Sequence, residues 1–170
     1  MGLLDKLFGK PKETPGRLTF LCMVRANEII LDKRQNSDGV SFEVLLFSSL
    51  HVLRKFRQRR PHLYDQFEAE LFNELVKFTQ EKGILNQLPS GFANFVNNRF
   101  ELYGQQLNSI REDRNFLPTK MAFNFFETPL KLESGDCFDM TKVFKMSMSI
   151  PHLINFLDEG IEFIIVNCRL

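Results

Sequence analysis

The sequence predicts a mainly α-helical protein, a single bundle-like domain of about six helices. Three observations carry that expectation. Apolar residues recur every three or four positions along most of the chain. Turn-forming Pro and Gly fall mostly between those periodic stretches. Of the aromatic residues, 19 are Phe, 2 are Tyr and none is Trp. Phe has no polar handle, which suits the filling of a core better than the stacking of bases or sugars. A length of 170 residues fits one domain, and 44% hydrophobic residues can build its core without staples.

Residues 1–16 stand apart as an arm and linker, leaving 17–170 as the domain. Met1 to Lys10 places Leu3, Leu4, Leu7 and Phe8 on one helical face, with Asp5, Lys6 and Lys10 largely opposite. Pro11 to Gly16 follows as a linker, and Thr14 before Pro15 has the form of a helix N-cap with proline at the first turn. Arg17 to about Lys33 is apolar on most sides and predicts a helix, with a buried strand over Leu18 to Val24 as the alternative, ended by the turn Asn36-Ser-Asp-Gly39. Phe42, Leu46, Leu50, Leu53 and Phe56 then form a helical stripe that stops at Pro61. Beyond it Leu63, Phe67, Leu71, Leu75 and Phe78 repeat with the same period, and Gly83 takes the C′ position. So short a turn predicts an antiparallel hairpin of these two helices.

Ser90 opens a further helix, with Phe92, Phe95, Val96, Tyr103, Leu107 and Ile110 inward. Residues 116–135 are ambiguous. Met121, Phe123 and Phe125 alternate as in a strand, so a small β-hairpin around 119–133 is the alternative to a short helix there. A short helix is expected around Cys137 to Met146. From Ile150 to Cys168 a helical period runs through Gly160.

Composition narrows function more by exclusion than by assignment. A formal net charge of +1 gives no global pull towards nucleic acid or an anionic membrane. Cys22, Cys137 and Cys168 are odd in number and widely spaced, with no CxxC pair. Free thiols in a reducing cytoplasm are therefore expected, without a zinc knuckle. No apolar run approaches the ~20 residues of a membrane span. The chain carries no phosphate-binding glycine loop, nucleophile elbow or HExxH. No catalytic motif is found and no cofactor is expected, although a site assembled from scattered residues would leave no such motif.

Three local features could carry a function. The arm, through Leu3, Leu4, Leu7 and Phe8, could dock on a protein partner, a second copy or, peripherally, a membrane surface; its small apolar face alone would hold a membrane only weakly. Lys6 stands where a myristoylation signal wants Ser or Thr. The run Arg54-Lys-Phe-Arg-Gln-Arg-Arg60 sets five positive charges in seven residues. Arg54, Lys55, Arg57, Arg59 and Arg60 could grip phosphates of nucleic acid or another polyanion. They also complement a helix C-terminus, where the macrodipole favours cations. A weaker metal candidate joins His51 to Glu70, which an antiparallel hairpin about Pro61 would bring level. The leading functional expectation is a helical interaction or adaptor protein that docks through the arm; the alternative is a polyanion binder centred on the arginines.

Overall fold

A computed structural model describes residues 13–31, 38–88, 90–109, 117–126 and 140–167. They form six α-helices: α1 (Pro15–Ile30), α2 (Asp38–Arg59), α3 (Tyr64–Glu81), α4 (Phe92–Ser109), α5 (Leu117–Phe126) and α6 (Met140–Asn167). Two single 3₁₀ turns, Pro61–Leu63 and Leu85–Gln87, lead into and out of α3. The mainly helical class read from the sequence holds. The arm residues Leu3, Leu4, Leu7 and Phe8 lie outside the described residues.

Central in this arrangement is α2, buried on nearly every side from Gly39 to Ser49. One hydrophobic cluster draws on all six helices around it. The α2–α3 pair is the antiparallel hairpin that the Pro61 turn predicts, because Phe56 stacks on Phe67 at one end while Phe42 meets Phe78 at the other. Phe42 also stacks on Phe95 of α4. Phe47 packs between Tyr103 of α4 and Phe125 of α5. Seven phenylalanines, Phe42, Phe47, Phe56, Phe67, Phe78, Phe95 and Phe125, thus make ring contacts that fasten outer helices to α2.

Both ends of the α1–α3 region follow local chemistry. Thr14 is extended (φ −70°, ψ 153°), its Oγ1 accepts the Arg17 N–H at 3.3 Å, and Pro15 occupies the first helical position. Gly16, at the edge of the expected linker, is buried within the first turn of α1. A Cβ there would come 2.4 Å from Glu70 Cβ and 2.8 Å from the Leu71 nitrogen, so only glycine lets α1 lie so close to α3. Gly83 has φ +66° and ends α3 as a Schellman motif. Its N–H donates to the Gln80 carbonyl, and the N–H of buried Ile84 to that of Thr79.

Two elements differ from expectation. The hairpin considered for 119–133 is not formed over its described part: Leu117–Phe126 is helix α5, and no strand occurs among the described residues. Met121 and Phe125 are four apart as well as alternate, and with Ala122 they make one buried helical face. Pro118 fits the first turn of that helix. Residues 127–133 lie outside the described set. The second difference is α6, which runs unbroken through Pro151 where two separate helices were expected. Val143, Met146, Ile150, Leu153, Leu157, Ile161 and Ile164 form one buried stripe. Burial along that stripe outweighs the backbone bond lost at the proline.

Candidate functional site

The cationic run sits on the last two turns of α2 and faces α6, which runs parallel to it. Lys55 Nζ lies 2.7 Å from Asp158 Oδ1 and 3.8 Å from Glu162 Oε1, and Arg59 reaches Glu162 at 3.1 Å. His51 Nε2 is 2.8 Å from the same Asp158 oxygen. Burial alone would raise the Asp158 carboxyl, but the hydrogen bonds from Lys55 and His51 outweigh it and hold the group below its ordinary range. Arg54 donates to Asn108 Oδ1 of α4 at 2.6 Å. Between these side chains lies an open cleft of about 300 Å³, lined by His51, Arg54, Lys55, Gln58, Asn108 and Asp158.

The remaining cations take other partners. Arg57 lies over the Tyr64 ring, 5.1 Å from its centroid. The Tyr64 hydroxyl donates to Glu68, and burial together with that carboxylate pushes it up to about 12. Arg60 donates to the Ile165 carbonyl near the α6 C-terminus at 3.4 Å, a helix end that favours a cation. Among the described residues, Arg54 and Arg57 have no carboxylate at ion-pair distance. The α2 C-terminus therefore carries two cations tied to carboxylates and three held by neutral partners. A small anion in the cleft would meet Arg54 and Lys55 as donors, with the Asp158 carboxylate beside them.

His51 and Glu70 are not brought together. His51 turns to α6, whereas Glu70 Oε2 accepts the Gly16 N–H at 3.0 Å and Oε1 accepts from Gln66. Glu70 thus satisfies an amide that the start of α1 would leave without a helical partner, and its charge suits that helix end. Among the described residues no group of three His, Cys, Asp or Glu side chains is placed to hold a metal ion.

A second polar centre escapes sequence reasoning altogether. Glu43 of α2 is fully buried, and its Oε2 accepts from Arg99 Nε of α4 at 2.8 Å and from the Tyr103 hydroxyl. Arg99 Nη2 also donates to the Asn124 carbonyl of α5 at 3.1 Å, so one guanidinium links three helices. Burial first, and then the Glu43 charge, holds the Tyr103 phenol well above its ordinary value; it stays a neutral donor. The signal available in the sequence was a lone carboxylate inside the apolar run Val40 to Phe47. A buried charge demands a partner, but nothing in the sequence names Arg99 as that partner.

Apolar surface is the third feature. Met140, Phe144 and Met148 are 59%, 64% and 63% exposed on one side of α6, and Phe156, Phe163 and Val166 continue the exposed face towards its C-terminus. Leu21 is similarly exposed on α1. No helix among the described residues is long and apolar enough to cross a membrane. No family model, no curated protein and no solved structure matches the chain.

Proposed function

We propose that this chain is a helical interaction protein that docks a protein partner through apolar surface its own core does not use. One such surface is the outward face of α6; the sequence pattern offers a second in the arm face of Leu3, Leu4, Leu7 and Phe8. The observation that carries the proposal is the row Met140, Phe144 and Met148, three large apolar side chains left mostly in water beside a complete core. A contiguous patch of this kind marks a contact site, and flexible methionines suit a surface that must adapt to a partner.

The test is a paired affinity purification from the source cell. Wild-type chain is compared with full-length variants carrying Leu4→Asp with Leu7→Asp, or Phe144→Asp. A stoichiometric partner recovered by wild type and lost with either variant supports docking. Recovery that no variant alters removes both surfaces from the proposal. Co-sedimentation with anionic vesicles, lost with the arm variant, would place the arm on a membrane instead.

A second reading has its own support. Arg54 and Lys55 line the cleft beside His51, so an anion held there would be recognised by several donors at once. For this reading, binding of a single-stranded oligonucleotide should weaken steeply as salt rises. Changing Arg54, Lys55, Arg57 and Arg59 to Gln should abolish it; unchanged binding by that variant would sink the idea.

A further inference from the structure

The charges along α6 run against its macrodipole. Lys142 and Lys145 lie in its N-terminal half and Asp158, Glu159 and Glu162 in its C-terminal half, while the first turn carries no acid and the last no base. Helix energetics favour the opposite arrangement. Asp158 and Glu162 are accounted for by Lys55 and Arg59 of α2. Exposed Lys145 and Glu159 take no ion-pair partner among the described residues and stay on the outward side with the apolar row. Residues Thr141, Lys145, Met148, His152, Phe156, Glu159, Phe163 and Val166 follow one another at steps of three or four, a seam along the whole helix.

We infer that the occupant of this face is a second copy of the chain, its α6 lying antiparallel across a two-fold axis near His152. The inference rests on the docking proposal above and names its partner. In that arrangement Lys145 of each copy meets Glu159 of the other, and Met148 meets Phe156. The same patch then serves on both sides, as a closed two-fold contact requires. Antiparallel pairing also sets opposite helix ends side by side, which turns the inverted charge order from a cost into a match. A 28-residue helix is roughly 42 Å long and about 10 Å wide, so a contact made by α6 alone falls in the small-interface class. The dimer is accordingly a reversible one.

Sedimentation equilibrium of the full chain across a wide concentration range tests this. The mass should rise from one chain to two and go no further. Met148→Asp or Phe156→Asp should weaken dimerisation by at least about tenfold, Lys145→Glu or Glu159→Lys alone by about two- to fivefold. Lys145→Glu combined with Glu159→Lys should restore it, since the swapped pair is again complementary across an antiparallel contact. A monomer at every concentration overturns the inference, and so does a dimer indifferent to Met148→Asp. Failure of the double swap to recover the dimer overturns the antiparallel geometry. A dimer abolished by Leu7→Asp and Phe8→Asp but not by Met148→Asp would make the arm the contact and overturn it equally. A monomer that still loses a captured partner on Phe144→Asp leaves the docking proposal standing and removes only the second copy.

Discussion

About two turns apart on α2, Glu43 and the stretch from His51 to Arg59 pair their charges in opposite ways. Glu43 has no exposure, two donors on one oxygen and a guanidinium that is itself tied to a third helix. Along the later turns, Asp158 and Glu162 share Lys55, His51 and Arg59 at a half-exposed edge open to a cleft. The same residue types therefore do different jobs. Inside, removing one partner strands a charge in a medium that cannot solvate it. At the edge, water replaces a lost partner, and the groups remain free to exchange partners with an incoming ligand.

The sharpest way to break this contrast is Glu43→Ala, which should destabilise the fold by about 3–5 kcal/mol in denaturant titrations. Replacing the whole centre by Glu43→Leu, Arg99→Met and Tyr103→Phe should recover most of that loss, because no charge is then left unpaired. Tyr103→Phe alone removes one donor from a buried carboxylate and should cost about 1.5–3 kcal/mol. If Glu43→Ala proves no worse than an edge substitution, the buried centre is hydrated and the contrast fails.

At the edge the expected effects are smaller and depend on conditions. Asp158→Asn should cost about 0.2–1 kcal/mol near neutral pH, since its carboxylate is more than a third exposed and screened. Its carboxyl is held below the ordinary value of 3.8, so it binds a proton more weakly folded than unfolded. The stability it adds is complete above that ordinary value and is lost as pH falls through the lower folded one. Wild type and Asp158→Asn should thus converge in midpoint below about pH 4. Raising salt at neutral pH should narrow the same gap while leaving the Glu43→Ala deficit almost intact. Equal salt sensitivity at the two sites would contradict the assignment.

How far the sequence disclosed all this depends on the range of the interaction. The stripe Phe42, Leu46, Leu53 and Phe56, the Thr14–Pro15 start and the Gly83 stop are local patterns, and each stands in the fold as expected. Gly16 was legible only as a linker residue, because its role depends on how closely α3 approaches α1. The cationic run was visible, yet its partners on α6 are about a hundred residues away. Arg99 shows no sign in sequence of being chosen by Glu43, since any exposed helix carries such residues. The unbroken α6 was missed because proline is a strong stop signal locally, and only burial along both halves overrides it.

That proline also sets how α6 breathes. Pro151 has no amide hydrogen, so the Ser147 carbonyl lacks its usual helical donor and the ladder carries a gap near its midpoint. Past the gap, the C-terminal half is fastened to α2 by Asp158 and Glu162. Residues 140–150 should form a separate opening unit, exchanging their amide hydrogens for deuterium well before residues 155–165. A single helix would then behave as two coupled latches, with the apolar row mostly on the one that opens first.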